Sequence, residues 1–232
     1  MLDELKRQVY EANLRILREG LVLLNWGNLS AVDRDGDIVV IKPSGIAYDV
    51  MTADAMVPVS LADGKALEGE LRPSSDTPTH RELYRAFPAI NAIVHTHSPW
   101  ATAWAQAGRE IPAFGTTHAD CFDGAVPVTR SLRESEIRED YERNTGRVIA
   151  ERFRRIDPMR IPAVLVRGHG PFTWGASIEE AVENALVLER VAQMASVSLA
   201  INPSVRSIGK FLREKHFSRK HGPEAYYGQK RK

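Results

Sequence analysis

Leu2, Leu5, Val9, Ala12, Ile16 and Leu17 recur every three or four residues and stop at Gly20. That spacing predicts an amphipathic helix closed by a glycine, with a solvated polar face. The pattern then shortens. NLSAVD (28–33) and DIVVIKPSG (37–45) read as strands, with DRDGD (33–37) supplying the Asp and Gly of a hairpin turn. The whole of 21–72 reads as strands and turns. RPSSDTPTHRELYRAF (72–87) is a loop that becomes a helix: Ser75 or Asp76 can cap, Pro78 suits the first turn, and Leu83, Ala86 and Phe87 form its apolar face.

IVHTHSPW (93–100) ends a further strand, and SPWATAWAQAG (98–108) predicts a turn and short helix. FGTTHADCFDG (114–124) is small and polar, so it reads as a loop. Ser131 and Glu134 stand at capping-box spacing before a charged helix that reaches about 155. IPAVLVRGHGPFTWG (161–175) is a short buried strand breaking into glycines around His169, and Ser177 with Glu180 opens the last long helix. No repeat, low-complexity segment or interdomain linker interrupts this order, so one domain over 1–232 is expected.

Composition narrows the function classes. Lys+Arg 31 against Asp+Glu 30 leaves no overall bias towards nucleic acid. The longest weakly charged stretch, 191–201, is shorter than the roughly 20 residues of a membrane span. Cys121 is alone, so no intramolecular disulfide is available, and the first twenty residues lack a signal-peptide core. A cytoplasmic protein is the expectation.

In an extended strand alternate side chains share a face, so His95 and His97 point together while Thr96 points away. This geometry suits a metal, and it also suits two polar residues at a strand end. His169, between two glycines, is a third donor that completes a His₃ set with an open position for substrate. His80, His118, His216 and His221 are equally compatible with surface positions. Two segments read as anion receptors or as plain turn and cap: KPSG (42–45), and PSSD (73–76) at a helix N-terminus where free N–H groups favour phosphate. The tail 215–232 is basic but carries Tyr226 and Tyr227, which argue for docking rather than a solvated terminus.

Taken together, NWGNLSAVD, IKPSG, PSSDTPTH, IVHTHS, GTTHAD, GHGPF and RKHGPEAYYGQ resemble the class II aldolase and epimerase family, closely its ketopentose-phosphate 4-epimerases, nearly end to end. The resemblance implies a three-layer α/β/α sandwich around a mostly antiparallel sheet and a homotetramer with sites between neighbouring subunits. It implies Zn²⁺ at His95, His97 and His169 with Asp76 beside it, although imidazole ligands also accept Mn²⁺ or Co²⁺. The phosphate of a ketopentose phosphate would be held by Asn28, Lys42, Ser44, Gly45, Ser74 and Ser75. Asp120 and Tyr227 match the family's catalytic pair, with the tail 215–232 reaching a neighbouring subunit's site. His216 and Arg219 would support the tyrosine, and Thr116 and Glu142 would stand further out.

The reaction so implied interconverts L-ribulose 5-phosphate and D-xylulose 5-phosphate, with arabinose breakdown as its pathway. The C3–C4 bond breaks, the aldehyde fragment rotates, and the bond re-forms with C4 inverted. A divalent cation fits this chemistry because cleavage leaves enediolate charge. Asp76 favours an epimerase over a fuculose- or rhamnulose-phosphate-like aldolase, in which Glu takes that place, and Asp120 points the same way. A non-catalytic adducin-head-like binding domain would have lost the histidines. Cys121, where a tyrosine is more familiar, and the terminal KRK leave specificity open.

Overall fold

The computed structural model describes residues 1–222 and 225–228. Its centre is a six-stranded sheet built from β1 (Gly27–Asp33), β2 (Ile38–Ile41), β3 (Val57–Ser60), β4 (Ala92–Thr96), β5 (Ala163–Leu165) and β6 (Pro171–Gly175). Its order is β3-β2-β1-β4-β6-β5, and every pairing between these strands is antiparallel.

Strand periodicity sorts the core into two faces. Ala92 and Val94 turn towards α1 (Leu2–Arg18) and α6 (Ile178–Ile201), where Val9, Ile16 and Val182 meet them. Ile93 turns the other way, towards Leu83 and Tyr84 of α2 (Thr77–Ala86) and Ile149 of α5 (Glu134–Arg152). Helices on both faces of an antiparallel sheet are the three layers anticipated from the sequence. A third apolar cluster joins α3 (Pro99–Ala107) to α6 through Trp104, Ala105, Leu188 and Val191. Among the described residues no helix is long and apolar enough to cross a membrane.

Several local expectations need correction. The face of α1 is not wholly solvated, because Asn13 is buried and bonds Val9 O and Leu29 O through its amide while accepting from Leu29 N. Helix α5 starts at Glu134 rather than being capped by Ser131: Glu136 bonds the Arg133 N–H at 2.7 Å and Arg130, setting the helix start later in the chain. The loop at 114–124 contains α4 (Thr116–Ala119) and buries His118 and Phe122. Residues 161–175 form a hairpin of two strands, and the tail contains α7 (Lys210–Lys220).

Candidate active site

The register of β1 against β4 puts Asn28 directly opposite His95. His95 is buried with its ring stacked on Phe172 at 4.1 Å between centroids. Its Nδ1 lies 2.9 Å from Pro171 O. A carbonyl only accepts, so Nδ1 carries a proton, and the tautomer of the neutral ring is the one whose lone pair is on Nε2. His97 follows one residue past the end of β4, and the β5–β6 turn brings in His169. That turn requires its glycines: Gly168 has φ +74°, and a Cβ on Gly170 would lie 2.8 Å from Thr96 O.

The three rings stand 4.8 to 5.0 Å apart between centroids, and one donor atom from each lies within 4.8 Å of the others. Burial and the neighbouring imidazoles push His169 down to about 4, and burial with His95 lowers His97. Asp76 Oδ2 is 4.0 Å from His95 Nε2 and accepts from Asn28 Nδ2 at 2.6 Å. Burial opposes ionisation of Asp76, but His95, His80 and the Asn28 amide outweigh it and hold the carboxyl below its usual range. Three converging imidazoles beside a carboxylate form a donor set that fits a divalent cation of the zinc type. Asp76 stands at the N-cap of α2, yet its side chain makes no cap bond because it faces this cluster.

The two anion-receptor segments are laced together: Ser44 N–H donates to Arg72 O and Ser74 N–H to Lys42 O, both at 2.9 Å. Lys42, Ser44, Gly45, Ser74, Ser75 and Asn28 consequently line one cavity of about 620 Å³ with Asp76 and the three histidines. Lys42 Nζ donates to Ile46 O at 2.8 Å and lies 4.9 Å from the Tyr48 ring centroid, and burial lowers its pKa. A bound phosphate would favour its charged form.

Glu142 lines this cavity, and so does Tyr141, which sequence reasoning passed over. It was concealed by its setting in a run of helix-forming charges. His80 and His118 are buried rather than on the surface; His80 sits beneath the site, with Nδ1 2.7 Å from Ser30 Oγ.

Asp120, Thr116 and the tail residues are not among those lining the cavity. They form a second group. Asp120 accepts from Arg219 at 2.9 and 2.6 Å and stands 2.9 Å from His216 Nδ1, while its N–H donates to Thr116 O. Burial opposes its ionisation, but Arg219 and His216 prevail and lower its pKa. Arg219 lies 4.9 Å from the ring centroid of the exposed Tyr227. The expected phosphate and metal residues therefore converge within one chain, whereas the expected acid/base pair assembles apart from them. The KRK end lies outside the described residues.

Residues 7–196 match the family model for the class II aldolase and adducin N-terminal domain. Among solved structures, an L-fuculose 1-phosphate aldolase is 22% identical, covering 92% of this chain and 94% of its own, with a TM-score of 0.78. YgbL from Klebsiella pneumoniae, a candidate aldolase/epimerase/decarboxylase, is 26% identical over 93% of this chain and 98% of its own, with a TM-score of 0.73. The L-fuculose 1-phosphate aldolase from Glaciozyma antarctica PI12 is 20% identical, covering 96% and 84%, with a TM-score of 0.76.

Proposed function

Because the chain belongs to the class II aldolase and adducin N-terminal domain family, we propose that it is a divalent-metal-dependent sugar-phosphate enzyme, specifically an L-ribulose-5-phosphate 4-epimerase. The observation that carries this reading is the single cavity that joins the His95, His97, His169 and Asp76 donors to two anion-receptor segments. A substrate with a phosphate at one end and adjacent carbonyl and hydroxyl oxygens at the other would engage both groups at once. Retention of the whole donor set argues against a binding domain without catalysis.

A cation held by the three histidines would supply Lewis-acid polarisation of the substrate's carbonyl and neighbouring hydroxyl. Everything else falls to the chain. Lys42 and the hydroxyls of Ser44, Ser74 and Ser75 hold the phosphate, with the Gly45 segment shaping its pocket. Asn28 holds the Asp76 carboxylate in place.

Inversion at C4 requires proton transfer on opposite faces of the aldehyde fragment, so two groups must flank it. Asp120 and Tyr227 fill these roles in the proposal, brought to the cavity by a neighbouring copy within a homotetramer. Since His216 and Arg219 bind Asp120 inside one chain, the carboxylate and the tyrosine then arrive together. Thr116 fixes the Asp120 backbone, and Glu142 faces the substrate from the cavity's own chain. Asp76 and Asp120 favour epimerisation over the aldolase alternative.

Product analysis of the zinc-loaded protein supplied with L-ribulose 5-phosphate tests this. D-xylulose 5-phosphate without free fragments is expected. Accumulation of dihydroxyacetone and glycolaldehyde phosphate would replace the epimerase reading with an aldolase, and failure to convert any ketopentose or deoxyketohexose phosphate would remove both.

A further inference from the structure

Helix α5 is broken at Asp140, whose φ of −161° and ψ of 75° are not helical. A break needs an identifiable support, and side chains provide it. Asn144 Nδ2 donates to Glu136 O at 2.9 Å, a carbonyl that an unbroken helix would bond through the N–H of residue 140. Thr145 Oγ1 donates to Tyr141 O at 2.9 Å, and Thr79 Oγ1, from α2, donates to Glu142 O at 2.5 Å. The break thus comes immediately before Tyr141 and Glu142, the two residues of this helix that line the cavity.

Tyr141 Oη lies 3.3 Å from His169 Nδ1, with the two ring centroids 6.2 Å apart. Among the described residues it is the only hydrogen-bond partner of the His169 ring. His95 has its Nδ1 proton fixed by the Pro171 carbonyl, and His169 has no comparable carbonyl. A ligating imidazole needs such a partner, because the group on one nitrogen decides which nitrogen keeps its lone pair.

We propose that Tyr141 is a positioning residue that accepts the Nδ1–H of His169, fixing the tautomer and ring angle that leave Nε2 bare for the metal, and that the break at Asp140 exists to place it there. The role rests on the reading of His95, His97 and His169 as a divalent-metal centre. It differs from a substrate contact, which would leave metal affinity unchanged.

The test compares the full-length wild type with Tyr141→Phe, which keeps the ring. Cobalt(II) and zinc affinities are measured by chelator competition, the cobalt absorption spectrum is recorded, and the His169 tautomer is read by ¹⁵N NMR on metal-free protein. Expected for the variant are affinity weaker by about 10- to 100-fold, a changed cobalt spectrum, and loss of the Nδ1–H tautomer preference seen in the wild type, with metal-free thermal unfolding little altered. Unchanged affinity and tautomer would overturn the proposal, as would a raised KM with wild-type metal affinity. A wild type that binds no metal would instead sink the metal-centre reading, and the tautomer would still decide whether the hydrogen bond exists.

Discussion

Burial holds His118 and His80 neutral, at about 4 and about 3. In the unfolded chain each takes a proton near its ordinary value of about 6.5. Between these values the unfolded state binds more protons, so stability is complete above pH ~6.5 and is lost on acidification towards the folded-state values, by about 1.4 kcal/mol per pH unit for each such histidine. A thermal unfolding series from pH 7.5 to 4.5 should show a steep fall in Tm below 6.5; a flat series would contradict the buried, neutral assignment. Neither histidine was legible as buried, since nothing in THR or THA spacing distinguishes a core imidazole from a surface one. Strand alternation puts His95 and His97 on one face and the flanking glycines single out His169, but only the resemblance joined the three as one metal set. Tyr141 required the broken helix, which the charge pattern of 134–143 does not announce.

Among the elements, α3 shows how distant capping escapes a reading of local spacing. Its N-cap Ser98 makes no side-chain cap bond. Instead Glu189, buried on α6, accepts from the N–H groups of Trp100 and Ala101, both at 2.9 Å. A carboxylate at a helix N-terminus also meets the favourable end of its dipole. Glu189→Ala should therefore cost about 2 kcal/mol, by leaving one buried and one part-buried donor without a partner, and Glu189→Gln should recover part of that loss; urea unfolding midpoints would show it. Equal midpoints for wild type and Ala variant would refute the cap. Caps within a segment were legible in part: Ser177 does accept from Glu180 N–H at 3.2 Å. Arg130 with Glu136 and Glu151 was not legible, since those three meet through the fold. Element types were otherwise readable from periodicity, except for α4, β6 and α7, which lie in segments whose glycines, small polar residues or basic charge read as loop, turn and tail.

Across the whole molecule, the layered sheet followed from the resemblance, with periodicity supplying only its separate elements, while the division of the site into two groups followed from neither. Motif order puts Asp120 and the histidines in one sequence but says nothing of distance. The fold gathers Asp120, His216, Arg219 and Tyr227 on α4, α7 and the tail, away from the cavity's lining. If neighbouring copies combine the two groups, as proposed, His97→Ala and Tyr227→Phe damage different halves of one site. Each variant alone should be nearly inactive, and co-assembly of equal amounts should restore about a quarter of wild-type activity, because a closed ring pairs intact halves at that frequency. No recovery in verified mixed oligomers would contradict the pairing of the two groups across neighbouring copies.

The cavity is proposed to break and re-form a carbon–carbon bond with metal assistance. The most direct test is a proton and phosphorus NMR time course in D₂O with L-ribulose 5-phosphate and zinc-loaded protein, repeated after chelation and after return of the metal. D-xylulose 5-phosphate that retains its original hydrogen at C4 is expected, formed only with metal present. Deuterium at C4, or conversion that persists after verified metal removal, would contradict it.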